Sequence, residues 1–150
     1  MSSSSTRRIA LIHGPNLQWL GRREPEIYGT TTLPELESRV TALAAELGVT
    51  VECYQENSEG ALLDTIYALK ERGIDELIVN AGAYTHTSVA LRDALTSVEA
   101  RFVEVHISNV YRREDFRHVS YLSDIAAGVI VGMGVGGYDL ALRWLVESER

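Results

Sequence analysis

The sequence predicts an α/β fold, a three-layer α/β/α sandwich with a five-stranded parallel sheet, and three observations predict it. Stretches that read as strands alternate with stretches of helical spacing along the whole chain. The strand stretches are mostly continuous apolar runs, as expected of strands covered on both faces. Polar residues gather where those runs stop, on the side where open parallel sheets place their ligands.

The elements follow in order. Arg8-Ile-Ala-Leu-Ile-His13 is a short apolar run stopped by Gly14-Pro15, a buried strand. Leu33 to Leu47 carries Leu33, Leu36, Val40, Leu43 and Leu47 at helical spacing. Pro34 lies in its first turn and Gly48 follows its end, the expected asymmetry of helix termini. Val49 to Tyr54 is the second strand, and Glu59 to Arg72 a helix closed by Gly73. Glu76 to Asn80 is the third strand and Thr87 to Thr96 the next helix. Arg101 to Ile107 and Gly128 to Val131 complete the strands, and Tyr138 to Glu147 is the final helix. No internal repeat and no linker interrupts the pattern, so residues 8–150 read as one domain behind a polar, disordered tail over residues 1–7.

Composition narrows the function. With 150 residues and 45% hydrophobic content, the chain has material for a core without a metal or disulfide staple. Cys53 is the single cysteine, which excludes an internal disulfide and a cysteine-based zinc site. The net charge of −7 argues against a nucleic-acid partner. No apolar run is long enough to span a membrane, and the first residues lack the apolar core of a signal peptide, so a cytoplasmic location is expected. Of 14 basic residues, 13 are Arg. The one lysine, Lys70, lies at the polar end of a helix, a poor setting for a Schiff base, which needs desolvation.

Two connections are long for a compact domain, Gly14 to Thr32 and Ser108 to Ala127, the second with room for helical turns. Both are rich in Arg: Arg22 and Arg23 in the first, Arg112, Arg113 and Arg117 in the second. They read either as solvated loops or as binding loops. The strand ends nearby carry His13-Gly-Pro-Asn16, Asn80-Ala-Gly82 and His106-Ile-Ser108-Asn109, polar groups able to converge on one cleft. Strand alternation puts Glu104, His106 and Ser108 on one face, and Val103, Val105 and Ile107 on the other. That face is either a solvated edge or a site in which a carboxylate orients an imidazole and supports its charged form; the apolar flanks favour the site. In the first loop, Arg23 and Tyr28 lie five residues apart. A phenol is a poor base at neutral pH, and a nearby guanidinium favours its phenolate. By itself such a pair is more often plain surface.

Other motifs fail. Gly132-Met-Gly134-Val-Gly-Gly137 matches a dinucleotide-binding fingerprint, but no second strand follows it, so it reads as a tight turn with close packing. His13, His86, His106 and His118 lack metal-ligand spacing, so no metal is expected. There is no phosphate-loop lysine, and the acidic residue and lysine of a response regulator are missing.

Four blocks carry a family resemblance. His13-Gly-Pro-Asn-Leu-Gln-Trp-Leu-Gly-Arg-Arg-Glu-Pro-Glu-Ile-Tyr-Gly29 resembles the N-terminal signature of type II 3-dehydroquinate dehydratases. Asn80 to Asp93, Glu104 to Arg117, and Gly128 through Tyr138 are similar to their later blocks. The resemblance implies a flavodoxin-like fold and a cofactor-free, metal-free hydro-lyase of the shikimate pathway. It would convert 3-dehydroquinate to 3-dehydroshikimate through an enolate, and the scarcity of lysine agrees with that. It implies Tyr28 as base, Arg23 as its activator, Asn16 for the enolate, and His106 as general acid held by Glu104. Ile107 and Ser108 would meet the substrate carboxylate, Asn80, His86 and Arg117 would make further contacts, and Arg113 would sit in a mobile lid. Asp93 would reach a neighbouring subunit's site in a homododecamer of four trimers. The chain departs from the family at His13, usually Asn, at Gln18-Trp19, usually Asn-Leu, and at Glu56, Ser58 and Val119. Two other readings stay open: a non-catalytic flavodoxin-like module for a nucleotide or small ligand, and a family member that binds quinate-like ligands without turnover. The intact Asn16, Arg23, Tyr28, His106 and Arg117 argue against the latter.

Overall fold

The first strand, β1, runs over Arg8–His13 and is buried from Ile9 onward, as its apolar run requires. The computed structural model to which it belongs describes residues 6–148. Two short turns of helix occupy the following connection, a 3-10 turn at Leu17–Trp19 and helix α1 at Pro25–Tyr28. Then come α2 (Leu33–Glu46), β2 (Thr50–Gln55), α3 (Glu59–Glu71), β3 (Glu76–Asn80), α4 (Val89–Ser97), β4 (Arg101–His106), β5 (Gly128–Val131) and α5 (Gly136–Glu147). The second long connection holds 3-10 turns at Val110–Arg112 and Asp115–Arg117.

Local chemistry sets the boundaries. Thr32 caps α2 by accepting the Glu35 N–H and donates its hydroxyl to the Glu35 carboxylate. Ser58 caps α3 through the Ala61 N–H and Ser88 caps α4 through the Leu91 N–H. The helix expected from Thr87 starts at Val89, because Ser88 is its cap and Gly82–His86 forms a 3-10 turn ahead of it.

All strand pairs are parallel, in the order β2-β1-β3-β4-β5. This is one of the two common doubly wound orders, the flavodoxin-like one, and its direction of winding reverses between β1 and β3. Alternation along the strands feeds two cores. Ile9, Leu11, Ile78, Val103 and Val105 pack against α2 and α5. Ala10, Ile12, Leu77, Val79 and Phe102 pack against Leu62, Ile66, Leu91 and Leu95 of α3 and α4. Among the described residues, no helix is long and apolar enough to cross a membrane.

The expected tail over residues 1–7 needs correction at its end. The Arg7 guanidinium donates to Glu76 at 2.6 and 2.7 Å, and its carbonyl accepts from the Thr50 N–H at 3.0 Å. Burial alone would raise the Glu76 carboxyl, but hydrogen bonds from Arg7 and Arg101 outweigh it and hold the group below its ordinary value. Arg7 is thereby tied to the base of the sheet; residues 1–5 of the expected tail lie outside the described residues.

The strand ends that matter meet at Gly14. Its N–H donates to the Asn80 carbonyl at 2.8 Å, and a Cβ at this position would lie 2.2 Å from the Ala81 carbonyl oxygen. We expect Gly14→Ala to lower stability by about 2 kcal/mol or more, the range for overpacking against unyielding backbone, read as a lower urea midpoint at unchanged slope.

Candidate active site

The cleft opens at the carboxyl ends of β1, β3 and β4, beside the reversal point of the sheet. Its wall includes Asn16, Arg23, Tyr28, Asn80, His86, His106, Ile107, Ser108, Arg113 and Arg117. Both long connections thus contribute side chains to one cleft. Asn16 follows Pro15 in a left-handed conformation, φ 73°, one that Asn tolerates better than most residues, and its N–H donates to Asn57 Oδ1 at 2.9 Å.

One side of the cleft is cationic. Tyr28 ends helix α1, where Gly29 at φ 83° takes the chain away. Arg23 lies over the phenol ring, 5.0 Å from its centroid, and pairs with Glu24 at 3.3 Å. Arg113 approaches from the second connection, 5.2 Å from the same centroid, and donates to Tyr28 Oη at 2.6 Å. The sequence points to Arg23 as the partner of Tyr28; the direct hydrogen bond belongs to Arg113. The Arg113 side chain is only 13% exposed and also reaches Ser108 Oγ at 3.5 Å, so in this structure it is part of the wall. One guanidinium thus bonds the phenol oxygen while the second lies over the ring.

The other side is an imidazole on a buried carboxylate. His106 Nε2 meets Glu104 Oε2 at 2.5 Å. Ser120 and Ser123 donate to the same carboxylate at 2.9 and 2.6 Å. Burial alone would push the Glu104 carboxyl up, but the hydrogen bonds from His106 and Ser123, with Ser120, hold it below its ordinary value. The polar face of β4 is therefore interior, with β3 and β5 on its flanks and Glu104 fully buried. Nothing in strand periodicity points to Ser120 and Ser123, which come from an irregular loop. His86 stacks on His106 at 6.2 Å and its Nδ1 faces the Val119 carbonyl at 2.8 Å. Burial lowers the His86 imidazole, and the neighbouring His106 and Arg117 add to that.

The remaining candidates separate cleanly. Asn80, Ile107, Ser108 and Arg117 line the cleft, Arg117 held at 3.0 Å by Glu114. Asp93 is exposed on α4 and lies outside this chain's own cleft. Of the departures, Gln18 accepts from Gln55 at 3.2 Å and Trp19 is exposed under Arg22; neither lines the cleft. Lys70 pairs with Asp75 at 2.7 Å, also outside the cleft. The Gly132–Gly137 segment is the expected tight turn: a Cβ on Gly132 would lie 3.0 Å from Asn109 Cβ.

His13 is fully buried, and its Nε2 lies 2.9 Å from Tyr138 Oη. Burial pushes this imidazole from 6.5 down to about 3. The folded value lies below the unfolded one, so the stability carried by neutral His13 is complete above pH 6.5 and is lost as pH falls from there toward about 3. We expect the urea midpoint of the wild type to fall across that window more steeply than that of His13→Asn, measured by equilibrium unfolding at a series of pH values.

Comparison with known proteins places this geometry in a family. The sequence profile described as Dehydroquinase class II matches residues 7–146. A 3-dehydroquinate dehydratase of Bordetella avium (strain 197N) is 57% identical over 141 residues, covering 94% of this chain and 98% of the relative. A catabolic 3-dehydroquinase of Aspergillus oryzae (strain ATCC 42149 / RIB 40) is 56% identical over 137 residues, 91% of this chain and 89% of the relative. The solved type II dehydroquinase of Butyrivibrio crossotus DSM 2876 superposes with a TM-score of 0.93 at 44% identity, covering 97% of this chain and 100% of that one. With a match running nearly end to end, and with fold and sequence agreeing, the chain belongs to the class II dehydroquinase family.

Proposed function

We propose that this chain is a 3-dehydroquinate dehydratase that removes water from 3-dehydroquinate to give 3-dehydroshikimate through an enolate. One observation carries the reading: a phenol under two guanidiniums and an imidazole on a buried carboxylate face the same cleft. Base and acid with opposite protonation needs must coexist at one pH, and their environments must push them apart. Two guanidiniums lie beside the Tyr28 phenol and a buried carboxylate beside the His106 imidazole.

The steps follow from that pairing. Tyr28 phenolate takes the proton on the carbon beside the ketone. The electron pair moves to the ketone oxygen, and Asn16 stabilises the enolate. The enolate then expels the hydroxyl, His106 protonates it, and it leaves as water. Glu104, held by Ser120 and Ser123, orients His106 throughout. Arg113 holds the Tyr28 oxygen and Arg23 covers its ring. Ile107 and Ser108 hold the substrate carboxylate, with Asn80, His86 and Arg117 on its remaining polar groups. The cationic wall explains how a protein of charge −7 attracts an anion, since local potential at the cleft outweighs net charge. Lys70 is paired outside the cleft, which agrees with an enolate and not an imine. The setting is the shikimate pathway in the cytoplasm. Among the relatives, the Aspergillus oryzae protein carries the name catabolic 3-dehydroquinase and the Bordetella avium protein that of 3-dehydroquinate dehydratase.

The absorbance of the conjugated enone product tests the activity directly. Tyr28→Phe is expected to lower kcat by about 10²- to 10⁴-fold, the range for loss of a general base. Arg113→Ala is expected to lose more rate than Arg23→Ala near neutral pH, because it removes the direct hydrogen bond to Oη. A Tyr28→Phe enzyme with wild-type rate would remove Tyr28 from the mechanism.

The assembly proposed is a dodecamer of four trimers, in which exposed Asp93 faces a neighbour's cleft. Native mass spectrometry should give twelve copies, and Asp93→Ala should raise KM in the assembled enzyme. A fully active monomer at assay concentration would end this part of the reading.

A further inference from the structure

A buried hydrogen-bond chain runs from the core to the cleft wall. Asn80 ends β3 and lines the cleft, yet is only 5% exposed. Its Oδ1 accepts the Gly82 N–H at 3.1 Å, and its Nδ2 lies 2.8 Å from Tyr138 Oη. Tyr138 comes from the first turn of α5, and its Oη is also 2.9 Å from Nε2 of His13 at the end of β1. His13 and Tyr138 are both fully buried.

Donor and acceptor counting gives the chain one direction. The Gly82 N–H can only donate, so the Asn80 atom facing it is the oxygen. The Asn80 amide nitrogen then faces Tyr138 and donates to its Oη. The Tyr138 hydroxyl hydrogen is free to donate onward, and His13 Nε2 is the acceptor within reach. His13 therefore carries its proton on Nδ1, which finds no protein partner among the described residues. The opposite tautomer is worse. It would leave the Tyr138 hydroxyl hydrogen and the Nδ1 lone pair both unmatched inside the protein. Burial keeps the ring neutral, as its lowered value of about 3 requires.

We infer that His13 and Tyr138 are positioning residues for the dehydration: their chain locks the Asn80 amide so that it offers the cleft an N–H donor and not a carbonyl acceptor. One Nδ2 hydrogen is committed to Tyr138, and the second is left for the substrate. An inverted amide would set two donors against each other at Gly82 and would force a tautomer change at His13. Asn80 therefore selects an oxygen acceptor on the substrate, a hydroxyl or carboxylate oxygen. The inference rests on the reading of Asn80 as a substrate contact. It assigns a use to His13, where the family usually has Asn, another side chain able to accept the Tyr138 hydroxyl.

Two measurements test it. Long-range proton–nitrogen correlation spectra of the imidazoles at pH 7 should show His13 protonated at Nδ1 and bare at Nε2; the Nε2–H tautomer would overturn the chain. For the enzyme, Tyr138→Phe and His13→Leu should each raise KM about tenfold, the scale of one lost hydrogen bond, with a smaller fall in kcat. His13→Asn should recover most of what His13→Leu loses. A lower Tm with unchanged KM in both variants would mean that the chain only supports the core, and would sink the proposal. Absence of turnover in the wild type would instead defeat the dehydratase reading, and the His13 tautomer would then decide the chain by itself.

Discussion

Parallel pairing in one register is the constraint on which the rest depends. His13 is level with Asn80 across β1 and β3, and Val79 with Glu104 across β3 and β4. Since all the strands run one way, their polar ends open on the same edge of the sheet. Strand order reverses between β1 and β3, so the connections leave in opposite directions and a crevice remains between them. Gly14 permits this closeness: the chain leaving β1 touches the backbone leaving β3, where no side chain would fit.

A sheet edge of this kind brings charge into places that water would otherwise solvate. Glu104 shows how the fold manages the cost. A bare carboxylate buried to this extent would shed its charge by taking up a proton, but three donors converge on it, two from an irregular loop and one from its own strand. Such satisfaction turns an expensive group into a rigid one. His106 inherits that rigidity, because its ring nitrogen is held by an acceptor that has nowhere to move.

The cationic wall is built differently. Arg23, Arg113 and Arg117 come from two long connections and not from the sheet. Each is anchored by a neighbour: Glu24 for Arg23, Glu114 for Arg117, and Tyr28 itself for Arg113. Exposed acidic partners such as Glu24 and Glu114 hold the guanidiniums in place while contributing little stability of their own. An excess of acid over base across the whole surface therefore coexists with a positive cleft.

Short-range pattern by itself determined the layers, the five strands and the face shared by Glu104, His106 and Ser108, because each is written in neighbouring residues at period 2 or 3.6. Four motif blocks pointed to the family that the whole-chain match shows. Only the tertiary structure decided which arginine holds the Tyr28 oxygen, which serines satisfy Glu104, and that Tyr138 joins His13 to Asn80. Those partners lie 16 to 125 positions apart in the chain. Arg23, five residues from Tyr28, was the visible neighbour, while Arg113 arrives from 85 residues away. No periodicity links residues across such separations. They meet because a parallel sheet, with its crossovers packed on both faces, carries distant connections to the same edge, and that placement belongs to the folded chain as a whole.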